Sequence, residues 1–298
     1  MTAQVRIGIS GWRYPPWRGG FYPRGLPQAR ELAYASRQFP AIEINGSFYS
    51  LQRPASYARW AQDTPPGFVF AVKAPRFITH VLRLRDARAA LANFLASGLF
   101  ALGPKLGPIL WQLPPTMRFD ARLMEDFLSL LPHDTDAASR LAREREPRMR
   151  GRELLAPGEP LRMRHALEVR HASFCTPELV ALLRRSAVAL VVADTGGRWP
   201  EVGDVTADFL YLRLHGARQM YASGYSEAQI DKWAEHIRAW AAGDDADMAH
   251  LSPQAAASRP KRNVFCFFDN TMKVHAPQNA LRLAQALGLD AAALTIGR

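Results

Sequence analysis

The sequence predicts a single α/β domain folded as a TIM (β/α)8 barrel with parallel strands. Eight short β-rich runs recur along the 298 residues, helical patterns follow most of them, and polar residues collect where the runs end. Strand–helix alternation is typical of parallel sheets, and eight such units in a chain of this length are typical of a closed barrel. A doubly wound open sheet is the alternative, but the nucleotide-binding patterns GxGxxG and GxxxxGK[ST] are absent from the sequence.

The strands are predicted where β-branched, aliphatic and aromatic residues dominate a short run. In chain order they are VRIGIS (Val5–Ser10), AIEING (Ala41–Gly46), FVFAVKA (Phe68–Ala74), PILWQL (Pro108–Leu113), ALEVRH (Ala166–His171), VALVVAD (Val188–Asp194), FLYLRLHG (Phe209–Gly216) and NVFCFFDN (Asn263–Asn270). Apolar residues at helical spacing predict helices at Gln28–Gln38, Ser56–Gln62, Ala87–Ser97, Ala121–Leu131, Thr176–Arg185, Glu227–Trp240 and Pro277–Leu287. After the sixth strand, Gly196–Asp208 shows room for only a short turn.

One segment interrupts this rhythm. Asp134–Arg164 is dense in Arg and Glu with scattered Pro and Gly, which predicts a mobile or partly helical basic insertion before the fifth strand. A solvated charged loop and a nucleic-acid-binding arm are both compatible with it. The domain is otherwise predicted to run over residues 1–298 without a boundary.

Net charge, cysteine content and apolar segments indicate which classes of protein the sequence favours and excludes. The formal net charge is +11, and 33 of the 38 basic residues are arginine, which favours anionic partners but is equally typical of a genomic preference for arginine. Cys175 and Cys266 stand far apart without a CxxC pattern, so neither a disulfide framework nor a zinc site is expected. No apolar stretch reaches membrane-spanning length, and the N-terminus enters a strand directly. We therefore expect a cytoplasmic protein without membrane contact; its oligomeric state stays open.

The segment IEINGSFYS raises the question of why Glu43 stands among isoleucines. Successive side chains of a strand point to opposite faces, so Ile42 and Ile44 share one face while Glu43 and Asn45 share the other. In a barrel the apolar face packs under the helices and the other faces the lumen. Glu43 is therefore predicted to face the lumen at the C-terminal mouth, where TIM-barrel active sites lie.

The same alternation brings polar residues from other strands to this mouth, where a charged cluster is more costly than apolar packing unless it serves a site. Candidate catalytic residues are Glu43, Lys73, His80, Glu168 and His215. Candidate ligand-binding residues are Trp17, Asn45, Tyr49, Gln112, Arg170, Asp194, Arg213, Asp269 and Asn270. No cofactor is indicated, and no metal is expected because Lys73, Arg170 and Arg213 would repel a divalent cation.

Several motifs resemble one known family over nearly the whole chain. They are GISGWRYPPW, EINGSFYSLQRP, TPPGFVFAVKAPRFITH, LGPILWQLPP, LEVRHASF, YLRLHG and FDNT followed by APQNALRL. In this order they resemble the domain-of-unknown-function 72 family, also called YecE-like. The resemblance implies a TIM barrel and supplies no reaction. This chain departs from the family's usual pair of asparagines at Asp269–Asn270, which adds a charge at the mouth.

Three functions remain open at this point. The first is a protein that binds, and as an enzyme transforms, a small phosphorylated or carboxylate ligand, with Lys73, Arg170 and Arg213 as cations and the carboxylates and histidines as acid–base groups. The second is a nucleic-acid or phosphodiester reader or nuclease, which the basic charge and the aromatic residues of the rim loops favour; a metal-dependent endonuclease rests on fold analogy alone. The third is a non-catalytic sensor. A Schiff base on Lys73 is disfavoured because Glu43 would hold the ammonium charged.

Overall fold

Eight parallel strands close into a barrel in the computed structural model, which describes residues 3–216, 223–256 and 261–289. The strands are β1 (Val5–Ser10), β2 (Ala41–Ile44), β3 (Val69–Lys73), β4 (Leu106–Gln112), β5 (His165–Glu168), β6 (Ala189–Asp194), β7 (Phe209–Leu214) and β8 (Asn263–Phe268). Each pairs with its neighbours in chain order, and β1 pairs with β8 to complete the ring. The TIM-barrel prediction is confirmed, with every predicted strand present to within three residues at its ends.

Helices surround this ring between the strands. They are α1 (Glu31–Ala35), α2 (Gly46–Tyr49), α3 (Pro54–Asp63), α4 (Arg88–Ala96), α5 (Ala121–Ser129), α6 (Thr135–Ala142), α7 (Pro177–Arg185), α8 (Glu227–Ala242) and α9 (His275–Ala286). A π-turn forms at Phe77–Val81, and 3-10 turns form at Pro15–Trp17, Gln28–Arg30, Leu99–Lys105, Pro147–Met149, Ala172–Phe174 and Met272–Val274. The connection from β6 to β7 contains no helix, as its sequence predicted.

The alternation of side chains along the strands divides the core into two layers. Ile42, Ile44 and Leu212 belong to the layer between the strands and the helices. Small residues such as Ala71 and Ala166 fill the lumen together with the rings of Phe209, Tyr211, Phe265 and Phe267. The lower lumen is thus packed and apolar, and any charge lying on it is shielded from bulk water.

One glycine lets two strands of this ring come together. A Cβ on Gly8 of β1 would lie 2.0 Å from the carbonyl oxygen of Ala41 on β2, far inside any real contact. A side chain at this position would therefore push β1 away from β2. The absence of one allows Ser10, two residues later, to reach the lumen beside Glu43.

The Arg-rich segment before β5 is ordered and packed against the barrel's helices. It contains α6, whose Ala138 and Ala142 are fully buried, and the Leu154 amide donates 2.9 Å to the carbonyl of Ala96 at the end of α4. Arg88 of α4 pairs with Glu144 at 2.6 Å. The segment is therefore partly helical, because alanines at helical spacing give α6 an apolar face that α4 covers.

Two further expectations bear on the class of protein. Within the described ranges, no helix combines the length and apolar character needed to cross a membrane. Cys175 is exposed and Cys266 is buried, and both are free thiols.

Candidate functional site

The C-terminal mouth of the barrel gathers the charged side chains that the strand phases predicted to point inward. Glu43 comes from β2 and Lys73 from β3, while Glu168 ends β5. Arg213 comes from β7, and Asp269 follows β8 directly. Since Phe265 and Phe267 face the lumen, the phase of β8, ambiguous in the sequence, places Asp269 inward as well.

Arg213 lies at the centre of this cluster and is fully buried. Its Nε and Nη2 donate to the two oxygens of Glu43 at 3.0 and 2.9 Å. Nη1 donates to Glu168 Oε2 at 2.7 Å, and Nη2 also donates to Asp269 Oδ2 at 2.7 Å. Three carboxylates on three strands thus converge on one guanidinium, and they raise its pKa well above the ordinary value against the opposing effect of burial.

Both carboxylate oxygens of Glu43 already accept two hydrogen bonds each. Besides the two contacts from Arg213, Oε1 accepts from Ser10 Oγ at 2.9 Å and Oε2 accepts from the Tyr211 hydroxyl at 2.6 Å. Burial and the negative charge of Glu43 raise the pKa of Tyr211 well above its usual range, so this hydroxyl stays a donor. The geometry makes Glu43 an anchor of the network, which differs from the proton-transfer role expected from the sequence.

The other two carboxylates are held in the same way. Glu168 Oε1 accepts from Arg170 Nε at 2.6 Å, and although burial opposes it, the charges of Arg170 and Arg213 lower the pKa of Glu168. Burial alone would raise the pKa of Asp269, but the effects of Arg213 and His215 outweigh it and lower this pKa to about 2. His215 Nδ1 lies 3.1 Å from Asp269 Oδ2. Both carboxylates are ionised at neutral pH.

Lys73 is a cation of the mouth that forms no ion pair with a carboxylate among the described residues. Its side chain is 9% exposed, and its Nζ lies 4.3 Å from the centre of the Phe48 ring. Among the described residues no carboxylate comes within 4 Å of Nζ, and none accepts a hydrogen bond from it. Burial and the repulsion from Arg213 lower the pKa of Lys73 to about 8, although the three carboxylates act in the opposite direction.

Arg170 and His80 complete the upper part of the mouth. The guanidinium of Arg170 stacks 3.8 Å from the ring centre of Trp199, a cation–π contact that holds it in place while Glu168 neutralises it. His80 packs edge-on against Phe48 and shares a 2.8 Å hydrogen bond with Thr79. Burial, followed by the charges of Lys73 and Arg170, lowers the pKa of His80 to about 4, so its imidazole is neutral.

Gln112 faces the lumen, as its strand phase predicted, because it is in phase with Leu110. Asn45 follows β2 with helical backbone angles as the N-cap of α2, so strand phase does not place it. Asn45 Oδ1 is buried and accepts no hydrogen bond from any described residue, which is the kind of orphaned atom that a ligand can satisfy. Asn45 and Tyr14 line a neighbouring cleft of about 270 Å³. Gln112 is 5% exposed and pairs in register with Glu168.

Four of the expected ligand-binding residues lie elsewhere. Trp17 is fully buried and donates to the Thr271 carbonyl, and Asn270 donates to Ser223 and Asn279, so both hold loops together. Asp194 has the phase of the helix-facing residues and accepts from the Gly196 amide at 3.1 Å. Tyr49 is 76% exposed on the rim. A residue near the end of a strand reaches the barrel mouth only when its side chain points into the lumen and the following loop keeps it there.

Other residues of the site were missed in the sequence. Ser10 could have been found, because it ends β1 in phase with Gly8 and opposite Ile9. Tyr211 was placed inward by its phase without being recognised as a donor to Glu43. Trp199 carries no local signal, since only the fold brings it to Arg170. Phe48 is predicted on the rim as an aromatic residue after the second strand, but its contact with Lys73 is not visible in the sequence.

The carboxylates and His215 do not form a metal-ligand set. Within the described part of the chain, no group of three or more His, Cys, Asp or Glu side chains has the geometry to hold a metal ion. Arg213 occupies the position that a cation shared by Glu43, Glu168 and Asp269 would take.

Comparison with protein families finds one family model that covers nearly the whole chain. It is described as protein of unknown function DUF72 and matches residues 6–297. The UPF0759 protein YecE of Escherichia coli K12 is 31% identical over 112 residues, which are 38% of this chain and 38% of YecE. The UPF0759 protein YunF of Bacillus subtilis 168 is 30% identical over 37% of this chain and 40% of YunF. The chain thus spans about two fifths of these curated relatives.

Solved structures share the fold over the full length. A DUF72 family protein of Thermotoga maritima MSB8, TM1631, has a TM-score of 0.70 at 23% identity and covers 96% of this chain, which covers 99% of it. A DUF72 family protein of Enterococcus faecalis V583, EF0366, has a TM-score of 0.66 at 17% identity, with 96% of each chain covered. These TM-scores and coverages show that the chain shares the barrel fold of these proteins.

Proposed function

This chain belongs to the DUF72 family, and we propose that it binds a small anionic ligand, phosphorylated or carboxylate, at the C-terminal mouth of its barrel. The observation that carries the proposal is Lys73, a buried cation without a carboxylate partner among the described residues. A buried charge without a counter-ion is costly, and an anionic ligand would supply the missing partner.

The sequence assigned the anion to Arg213 as well, and the geometry argues against this. Three carboxylates already surround the guanidinium of Arg213, so an anion approaching it would be repelled. Arg170 is the better second contact, because it lies at the mouth, stacked on Trp199, and among the described residues only Glu168 pairs with it. Lys73 and Arg170 therefore form the proposed anion-binding pair, and Arg213 holds the carboxylates beneath them.

Acid–base chemistry on the bound ligand is the second part of the proposal. Lys73, with a pKa of about 8, can exchange a proton near neutral pH, and the neutral imidazole of His80 packs against the same Phe48 ring. A group whose pKa lies near the working pH is suited to general acid–base catalysis. Glu43 and Glu168 act here by fixing the field around Lys73.

The nucleic-acid alternative receives less support from the same contacts. Several arginines of the basic segment before β5 pair with acidic neighbours, Arg145 with Glu153 and Arg148 with Glu146, both at 2.8 Å. These pairs reduce the positive charge that a phosphate backbone would meet. The metal-dependent endonuclease and the non-catalytic sensor remain as outcomes of the experiment below.

A thermal-shift screen tests the proposal. The wild type is heated with inorganic phosphate, sugar phosphates, nucleotides, small carboxylates and a short single-stranded DNA, each with and without EDTA. An anion at 100 times its Kd stabilises the fold by about 2.7 kcal/mol, on the order of 5 °C in a chain of this size. We expect a small anion to stabilise the protein in the presence of EDTA.

Two variants assign the shift to the mouth. Lys73→Met should abolish the shift caused by that anion, whereas Lys232→Met, which removes an exposed lysine on α8, should retain it. A shift that persists in Lys73→Met would overturn the proposed site. Stabilisation by DNA alone or by a divalent metal alone would favour the nucleic-acid or endonuclease alternative. Binding without turnover of the identified anion would identify a sensor.

A further inference from the structure

We propose that Lys73 forms a Schiff base with a small aldehyde or ketone that carries an anionic group. This inference rests on the proposed function, because Arg170 would hold the anionic group while Lys73 attacks the carbonyl carbon. It goes beyond that function by assigning Lys73 a covalent role and by naming the class of substrate.

The environment of Lys73 is that of a nucleophilic amine. Its Nζ has no hydrogen-bond acceptor among the described residues, and the face of Phe48 covers it at 4.3 Å. Lys105 is the instructive contrast, since its Nζ donates to the carbonyls of Ala61 and Thr64 at 2.5 and 2.6 Å and to Thr64 Oγ1 at 3.1 Å. The lone pair of a neutral Lys73 amine is available at the end of β3, where TIM-barrel chemistry takes place.

Glu43 favours the charged form of Lys73, which disfavours this chemistry, and its contacts in the structure weaken that effect. A free carboxylate beside Lys73 would hold the ammonium charged, but both oxygens of Glu43 are occupied by Arg213, Ser10 and Tyr211. Arg213 therefore offsets the attraction that Glu43 exerts on a charged Lys73.

The remaining charged groups around Lys73 complete the electrostatic account. Arg213 on β7 disfavours the ammonium, whereas Asp269 after β8, Glu43 on β2 and Glu168 on β5 favour it, and burial decides the balance. Arg170 and His80 also face this space. With a pKa of about 8 instead of 10.5, the neutral amine at pH 7 is more abundant by on the order of a hundredfold.

The covalent step balances without any further reagent. The lone pair of the neutral Nζ attacks the carbonyl carbon, and the C–N bond forms as the carbonyl π pair moves to oxygen. The two hydrogens of the amine then leave with that oxygen as water, and the C=N bond remains.

Reductive trapping on the intact chain tests the inference. The wild type is incubated at pH 8 with pyruvate or dihydroxyacetone phosphate, and separately with acetone or dihydroxyacetone, which present the same carbonyl without the charge. Sodium borohydride then converts any imine to a stable amine, and peptide mass spectrometry locates the adduct. The chain has only five lysines, Lys73, Lys105, Lys232, Lys261 and Lys273, so the assignment is unambiguous.

We expect a borohydride-dependent adduct on the Lys73 peptide, at least tenfold above that on any other lysine and at least tenfold weaker with the uncharged carbonyls. Lys73→Arg should lose it and Lys105→Arg should keep it. Should Lys73→Arg fail to fold, the peptide map of the wild type still decides the question. Equal labelling of several lysines, or no label at Lys73 with either charged carbonyl, would overturn the inference.

The outcomes separate this inference from the proposed function. A small anion that stabilises the protein through Lys73, with no adduct from either charged carbonyl, leaves the anion site standing and removes the Schiff base. Equal labelling of Lys73 by charged and uncharged carbonyls would support a nucleophilic amine and remove Arg170 as the anion contact.

Discussion

Arg213 on β7 binds Glu43 on β2 across the barrel lumen through a bidentate pair of hydrogen bonds. Nε and Nη2 donate to the two carboxylate oxygens at 3.0 and 2.9 Å. Both side chains are fully buried above an apolar floor that includes Phe265 and Phe267. Bidentate pairing of this kind fixes direction as well as distance. The same guanidinium also donates to Glu168 on β5 and to Asp269 directly after β8, so one side chain links strands from opposite parts of the ring.

Removing this guanidinium should destabilise the barrel strongly. Arg213→Met leaves three carboxylates buried beside one another without their shared cation, and breaking a buried pair in this way costs about 3–5 kcal/mol. Urea unfolding at pH 7 measures the loss. Arg213→Met combined with Glu43→Gln should recover part of it, because one uncompensated charge is removed. Unchanged stability in the single variant would show that the carboxylates are solvated and the network is peripheral.

Acid should reveal the contribution of Asp269. Its pKa is about 2 in the folded chain and 3.8 for the free side chain, so the folded state binds fewer protons between these values. The ion pair with Arg213 therefore stabilises fully above about pH 4, and the stabilisation of about 2 kcal/mol is lost as pH falls through 2.

Asp269→Asn is the variant that isolates this effect. It should lose stability at pH 7, because Arg213 keeps only two carboxylates, and its free energy of unfolding should fall less steeply than that of the wild type between pH 4 and 2. Parallel curves for the two proteins over that range would mean that Asp269 titrates alike in the folded and unfolded chains.

The sequence predicted the barrel and the inward face of its strands because both depend on periodicity alone. Ile42 and Ile44 define where Glu43 points, whatever the other strands do. The identity of each partner depends on register and loop path instead, and neither is visible in a single run of residues. For that reason the sequence does not show that three carboxylates surround Arg213, or that Trp199 stacks on Arg170.

The basic segment before β5 should contribute to stability. Leu141 on α6 is 7% exposed and belongs to the main core, so Leu141→Ala should cost about 2–4 kcal/mol in urea unfolding. Arg143→Ala, on the same segment, pairs with no acidic residue among those described and should change stability by less than about 0.5 kcal/mol. Equal, small effects of the two changes would return the segment to the status of a dispensable loop.

Lys73 should lower the stability of the folded chain at neutral pH, in keeping with a residue retained for its chemistry. Its pKa is about 8 when folded and 10.5 for the free side chain, so the unfolded chain binds more protons between these values and wild-type stability rises with pH across that window. Lys73→Met replaces the ammonium with an apolar side chain of similar length and lacks this penalty. It should be more stable than the wild type by up to about 3 kcal/mol at pH 7, and the difference should vanish as pH approaches 10.5.

Lys105→Met is the matched control: it removes three hydrogen bonds to Ala61 and Thr64 and should destabilise by about 1–3 kcal/mol. Urea unfolding of the three proteins from pH 7 to 10 measures both effects. A Lys73→Met protein that is less stable than the wild type at pH 7 would show that Lys73 is satisfied in the folded chain, and the mouth would then have no unpartnered cation to offer a ligand.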